Sequence, residues 1–176
     1  WSLVNPICFE EPLAPWTAAL RERRPVDVQA MLKAFAALAR RHDCLVVEGS
    51  GGWLVPLNAR MTMADLAERF GLPVLLVARP GLGTLNHTLL TLEAIRRRRL
   101  RCLGVVINHG SPPPRDSMSR LAERTNPELL SRLAPLLGVL PFRPGLLVKD
   151  GRRFQRRLAS WITDHLGGKT VRAVLQ

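Results

Sequence analysis

The chain has 176 residues and is 47% hydrophobic, so it can bury one sizeable core and does not have the composition of a disordered protein. No stretch reaches the ~18 uncharged apolar residues that a membrane span needs, which argues against a membrane protein. The first residues lack the basic start and apolar stretch of a signal peptide, and the three cysteines show no metal-like spacing. We therefore predict a protein of the reducing cytoplasm.

The net charge of +12 raises the question of nucleic-acid binding. All but three of the basic residues are arginine, and the densest run, residues 96–99, lies at the end of a predicted helix. Cations at that position complement the helix dipole, which is a structural role. Tyrosine is absent, and no strand alternates basic and aromatic side chains for base stacking, so we predict no nucleic-acid partner.

The first third of the chain predicts two helices and one buried strand. Apolar residues recur at helical spacing over residues 26–41, and an uninterrupted apolar run at residues 44–47 indicates a strand. A short helix follows, with Thr62 as its N-cap and Gly71 as its C-terminal stop.

The rest of the chain continues this alternation. The predicted elements are strands over residues 73–78, 103–108 and 137–140, and helices over residues 85–98, 116–124, 128–133 and 152–166. Uniformly apolar strands that alternate with helices predict an α/β fold, with a mainly parallel sheet between two helical layers. We predict a single domain over residues 1–166 and a frayed tail over residues 167–176.

A carboxylate, Glu48, follows the first predicted strand and leads into a glycine-rich turn. Ligands of α/β folds bind beyond the carboxyl ends of strands, and a strand-end carboxylate can hold Mg²⁺ beside a phosphate. Glycines let backbone amides approach an anion closely. An ordinary tight turn with a solvated Glu48 is the alternative.

Three other strand ends carry weaker signals. The turn at residues 81–84 opens a helix, so it is either an anion site or a plain connection capped by Thr84. Asn108 follows the third strand and Pro141 the fourth, and such residues often only organise a turn.

The segment V-E-G-S-G-G-W-L-V-P-L, residues 47–57, resembles the signature of the dethiobiotin synthetases, ATP- and Mg²⁺-dependent enzymes of biotin synthesis. The resemblance extends over residues 1–145 and implies a P-loop NTPase fold. His109, Phe142 and Trp16 stand where the family pattern has Asp, Trp and His.

The resemblance implies a role for each motif. It makes Glu48 the ligand of the cofactor Mg²⁺. The implied ATP contacts are Glu48, Gly49, Ser50, Gly51, Asn108, His109, Pro141 and Phe142. The implied contacts to the carboxylate of 7,8-diaminononanoate are Gly83, Thr84, Leu85 and Asn86, which would reach the neighbouring subunit of a homodimer. With CO₂ as the third substrate, the products would be dethiobiotin, ADP and phosphate.

The sequence contains no G-x-x-x-x-G-K-[ST] loop, and the family's catalytic lysines are not in this chain, so no catalytic residue is assigned. We expect a sheet that lacks its N-terminal P-loop strand, and no measurable synthetase activity from these 176 residues alone. One alternative is a P-loop ligase related to cobyrinate diamide synthase, against which the G-G-W-x-V-P-L run argues. The other is a truncated, non-catalytic binding module.

Overall fold

The structure is a computed structural model that describes residues 3–144 and 151–167, with the backbone alone for residues 151–157. Its elements, in chain order, are α1 (Pro15–Arg21), α2 (Val28–Ala39), β1 (Pro56–Asn58), β2 (Met61–Thr62), α3 (Met63–Phe70), β3 (Val74–Ala78), α4 (Thr84–Arg97), β4 (Cys102–Asn108), α5 (Ser117–Leu133), β5 (Leu136–Leu140) and α6 (Gly151–Leu166).

The chain forms two compact units, Trp1–Leu72 and Pro73–Gln176. The single domain predicted over residues 1–166 stays a prediction. Of the predicted tail, only Gly167 lies within the described residues.

The first unit packs its helices around a small antiparallel hairpin, β1–β2. Its buried core consists of Ala19, Val26, Val28, Leu57 and Leu66. The two helices predicted for this unit are confirmed as α2 and α3.

The caps of α3 explain why this short helix forms. The carboxylate of Asp65 accepts hydrogen bonds from the amide (2.6 Å) and the hydroxyl (2.7 Å) of Thr62 at its start. At its end Gly71 adopts a left-handed conformation with φ +65°, which favours glycine. Both predicted capping residues are therefore confirmed.

The strand predicted over residues 44–47 is wrong. Residues 44–49 have no regular structure, and Val46 and Val47 are 86% and 46% exposed. An apolar run becomes a strand only when a neighbouring strand satisfies its backbone amides and carbonyls. Among the described residues, no strand pairs with this segment.

The second unit is built on a parallel sheet with strand order β3–β4–β5. The central strand β4 is the most buried, with Val105, Val106 and Ile107 at 0–3% exposure. Helices α4, α5 and α6 pack against the sheet, and Leu92 and Leu130 reach its core. The predicted α/β class with a parallel sheet is confirmed.

Helix α5 corrects a second prediction, because the two short helices expected there form one helix of 17 residues. Pro127 lies inside it and removes a single intrahelical donor, which a helix that packs on a sheet tolerates. Among the described residues, none of the helices combines the length and the hydropathy of a membrane-spanning segment.

Candidate functional site

The turn that contains Glu48 lies in the first unit. Glu48, Gly49, Ser50 and Gly51 are all exposed there. Gly51 has φ +83°, a conformation that side chains disfavour. A Cβ atom on Gly49 would lie 3.1 Å from the terminal methyl group of Met63, a flexible group that can shift, so the turn itself requires glycine at position 51.

The segment after this turn holds the start of α3. The carbonyl of Trp53 accepts from the amide of Ala64, and the carbonyl of Val55 from the amide of Met63, each at 2.9 Å. These bonds satisfy two of the amides that a helix start leaves unpaired. Residues 53–55, which follow the turn, are therefore fixed to the start of α3, whereas residues 44–49 before it lack regular structure.

A second glycine turn precedes α4 in the second unit. Gly83 has φ +88° and forms the N-terminal boundary of the helix. The amide of Thr84 donates to the carbonyl of Gly81 at 3.2 Å, and Thr84 is only 1% exposed. The amides of Gly81, Leu82 and Gly83 donate to no backbone carbonyl of the described residues, so they are free to bind an anion.

The two glycine turns share an uncommon feature. Among the described residues, two buried side-chain nitrogen or oxygen atoms have no hydrogen-bond partner: Nε1 of Trp53 and Oγ1 of Thr84. An unpaired buried polar atom costs about 1–3 kcal/mol, and both of these atoms are closed to solvent in this structure. Trp53 follows the Glu48 turn, and Thr84 belongs to the turn before α4.

The strand ends of β4 and β5 bring four predicted site residues together. Asn108 and Leu140 are register partners in the parallel sheet, and the amide of His109 donates to the carbonyl of Leu140 at 2.9 Å. Pro141 and Phe142 follow Leu140 directly, so they lie at the same sheet edge as Asn108 and His109. Asn108 is exposed and Phe142 is half-buried there.

The imidazole of His109 contacts α5. Its Nδ1 lies 3.4 Å from Oε2 of Glu123, and both side chains are more than four-fifths buried. His109 is therefore engaged both through its amide and through its side chain.

Sequence reasoning missed one residue, Asn126 of α5. Its side-chain amide is buried and donates to the carbonyls of Pro80 (2.9 Å) and Gly81 (3.3 Å) in the turn before α4. In the sequence Asn126 precedes a proline between two predicted short helices, a pattern typical of a turn. No local signal indicates a contact with residues 46 positions away.

A cleft of about 340 Å³ in the first unit has a different lining. It includes Trp16, Arg23, Arg24 and Leu57 and contains none of the predicted ATP or substrate contacts. Trp16 stands where the family pattern has His, and we assign no catalytic role to it.

A family model described as an AAA domain matches residues 1–148. The chain belongs to this family. It is also similar to curated proteins named ATP-dependent dethiobiotin synthetase. It is 43% identical over 149 residues to the protein of Thermodesulfovibrio yellowstonii. The aligned region covers 80% of this chain and 60% of that protein. It is 47% identical over 145 residues to the protein of Anaeromyxobacter sp. (strain K), with 81% and 63% covered.

A third relative, from Bacillus licheniformis, is 43% identical over 140 residues, with 78% of this chain and 57% of the relative covered. The chain thus spans about three-fifths of the length of the curated relatives it matches. The resemblance seen in the sequence motifs is confirmed, and it favours the dethiobiotin synthetase interpretation over the cobyrinate diamide synthase alternative.

Proposed function

We propose that the protein is an ATP-dependent dethiobiotin synthetase, a ligase that forms carbon–nitrogen bonds in biotin synthesis. Similarity to relatives of that name supports the reaction. The structural observation that carries it is the convergence of Asn108, His109, Pro141 and Phe142 at the carboxyl edge of β4 and β5, where the ligands of α/β folds bind.

The proposed reaction closes the ureido ring of dethiobiotin in three steps. One amine of 7,8-diaminononanoate adds to CO₂ and gives a carbamate. The carbamate oxygen takes the γ-phosphoryl group of ATP, which leaves as ADP. The second amine then attacks the activated carbon, and phosphate is released. Because the protein forms no covalent bond here, its contribution is positioning and charge stabilisation.

Glu48 is the proposed Mg²⁺ ligand. No group of three or more His, Cys, Asp or Glu side chains in the described part of the chain is placed to hold a metal ion. Protein sites for Mg²⁺ commonly use one or two carboxylates together with phosphate oxygens and water, so a single exposed carboxylate fits. Bound Mg²⁺ would neutralise charge on the phosphate oxygens. Gly49, Ser50 and Gly51 would hold the adjoining nucleotide through their backbone.

The sheet edge formed by β4 and β5 is the proposed adenine site. The exposed amide of Asn108 offers one acceptor and two donors, which match the edge of adenine. Pro141 and Phe142 would cover one side of the base. His109 would contribute mainly through its backbone, since its side chain contacts Glu123.

The turn before α4 is the proposed site for the substrate carboxylate. Gly83, Thr84, Leu85 and Asn86 stand at a helix N-terminus, where the helix dipole favours an anion. The amide of Thr84 is already bonded to the carbonyl of Gly81, so its contribution would come from the side chain. In the proposed homodimer, this turn serves the active site of the partner subunit. The proposed location is the cytoplasm, which agrees with the free thiols of Cys8, Cys44 and Cys102.

The test is the formation of dethiobiotin from 7,8-diaminononanoate, bicarbonate and Mg·ATP by the natural gene product that contains this sequence. We expect one ADP per dethiobiotin. Glu48→Gln should lower turnover on the order of 100-fold, because charge on the phosphates is no longer balanced. Glu93→Gln, at an exposed carboxylate of α4, is the matched control and should change turnover less than about twofold.

Each contrary result has a separate meaning. Formation of ADP without dethiobiotin would reject the ligase reaction. Equal turnover of the Glu48→Gln and Glu93→Gln variants would reject Glu48 as the metal ligand. Absence of ATP binding together with absence of both products would favour the non-catalytic binding module. We also expect no turnover from the 176 residues alone, since the phosphate-binding loop of the family is not among them.

A further inference from the structure

Asn126 is one of three buried polar residues in the described chain, with Thr84 and Thr88. It is 8% exposed, and its Nδ2 donates to the carbonyl of Pro80 at 2.9 Å and to that of Gly81 at 3.3 Å. A buried amide is tolerated only when it is hydrogen-bonded. Both bonds of this nitrogen go to one turn, the glycine turn before α4.

These two bonds fix the direction of two peptide groups. No cis peptide bond occurs in the described chain, and in a trans peptide the N–H points away from the C=O. With the carbonyls of Pro80 and Gly81 directed at α5, the amides of Gly81 and Leu82 must face the opposite way. Those amides donate to no backbone carbonyl of the described residues.

The carbonyl of Gly81 has a second role. It also accepts from the amide of Thr84, the first residue of α4, at 3.2 Å. Asn126 therefore acts at the point where the turn joins the helix. The unpaired Oγ1 of Thr84 belongs to the same turn.

The face of α5 that carries Asn126 also contacts the loop after β4. Glu123 lies three residues before Asn126, a spacing that places two side chains on one side of a helix. Its carboxylate contacts His109, which follows β4. One face of α5 thus touches the loops after both β3 and β4.

We propose that Asn126 is a positioning residue, which fixes the turn before α4 and, through the carbonyl of Gly81, the helix start at residues 83–86 that is proposed to bind the substrate carboxylate. This inference rests on the function proposed above. Asn126 does not itself touch substrate, because its side-chain nitrogen is occupied by the two carbonyls. Its loss should weaken recognition of the carboxylate and leave the phosphoryl transfer intact.

The kinetic test uses the natural gene product that contains this sequence and compares two variants. Asn126→Leu keeps a similar volume without donors, and Asn126→Asp keeps the shape. We expect the KM for 7,8-diaminononanoate to rise about tenfold in both, with kcat and the KM for ATP within about twofold. Thr88→Val is the matched control, a buried polar residue of α4 at 3% exposure. It should leave both KM values unchanged.

A purely structural role would give a different result. A smaller folded fraction lowers apparent kcat without raising the KM for one substrate, and that pattern in both Asn126 variants would overturn the proposal. A KM for diaminononanoate equal to that of the wild type would overturn it as well.

A second measurement separates this inference from the proposed function, because it needs no substrate. Backbone ¹⁵N relaxation of Gly81 and Leu82, together with hydrogen exchange of the Thr84 amide, is compared in the wild type and in Asn126→Leu. Lower order parameters in the turn and faster exchange at Thr84 in Asn126→Leu support the positioning role of Asn126, and unchanged values overturn it. A wild type that forms no dethiobiotin contradicts the proposed function, and the relaxation data still decide the role of Asn126.

Discussion

His109 and Glu123 face each other beside the carboxyl end of β4, with Nδ1 of the imidazole 3.4 Å from Oε2 of the carboxylate. The same histidine donates its amide to Leu140 of the neighbouring strand at 2.9 Å. The loop after β4 is therefore fixed on two sides, toward β5 and toward α5. Asn108, the residue before it, keeps an exposed side chain on this fixed backbone.

This pairing predicts a measurable coupling between the two side chains. A double-mutant cycle of His109→Ala and Glu123→Ala, measured by urea unfolding, should give a coupling free energy of about 0.5–1 kcal/mol. Both side chains are largely shielded from water, which strengthens their interaction. The exposed pair Glu128–Arg132 of the same helix is the control and should give less than about 0.5 kcal/mol. A coupling no larger than that of the control would contradict the prediction.

The sequence predicts most elements of the second unit, because their signals are local. Strands β3, β4 and β5 are short apolar runs, and α4 follows a glycine turn that marks its start. The convergence of Asn108 with Pro141 also follows from the pattern, since parallel neighbours end at one sheet edge. The resemblance to a family adds the expected roles of these residues, which periodicity alone does not contain.

Two errors and one omission have a common physical reason. The run at residues 44–47 has the composition of a strand but no pairing partner among the described residues. Two short helices are predicted over residues 116–124 and 128–133, yet packing holds α5 together across Pro127. Asn126 escapes sequence reasoning because its role depends on a turn 46 residues earlier in the chain. Each outcome is determined by distant residues, which local patterns do not record.

The exposure of Val46 gives a direct test of the corrected strand. Val46→Ala should change the free energy of unfolding by less than about 0.5 kcal/mol, because the side chain is 86% exposed. Leu57→Ala, at a core position of the same unit with 1% exposure, should cost about 2–5 kcal/mol. Comparable losses in urea unfolding would mean that residues 44–47 are packed after all.

A side chain at Gly104 of β4 should lower the stability of the fold. It has φ +145°, and a Cβ atom there would lie 2.6 Å from Cγ of Leu137 and 2.7 Å from the carbonyl oxygen of Pro135. Gly104→Ala should therefore cost about 1–3 kcal/mol of unfolding free energy by forcing β4 and β5 apart. Gly110→Ala meets no atom within 4 Å and should be nearly neutral. Equal stability of the two variants would refute this explanation.

The two glycines of the turn before α4 should respond differently to alanine. Gly83 has φ +88°, so Gly83→Ala should lose about 1–2 kcal/mol through backbone strain. Gly81 has no positive φ, and a Cβ atom there would meet no other atom within 4 Å. Gly81→Ala should therefore change stability by less than about 0.5 kcal/mol. Thermal and urea unfolding of both variants measure the difference, and a Gly81→Ala loss as large as that of Gly83→Ala would contradict it.

Asp116 should make stability depend on pH at the acid end. Its carboxylate is the N-cap of α5 and accepts from the amide of Ser119 at 2.7 Å. Hydrogen bonds from Ser119 hold the pKa of Asp116 below its ordinary value. Because the folded pKa is lower than the unfolded one, the contribution is present above the unfolded pKa, about 4, and is lost as the pH falls through the folded pKa.

Asp116→Asn separates the charge from the cap, because asparagine also caps helices well but does not titrate. Between about pH 7 and pH 3 the urea midpoint should fall further for the wild type than for Asp116→Asn. Asp116→Ala removes the cap itself and should have the lowest midpoint of the three at neutral pH. Identical falls for the wild type and Asp116→Asn would show that the acid sensitivity arises from other carboxylates, since only one of the two proteins can protonate this position.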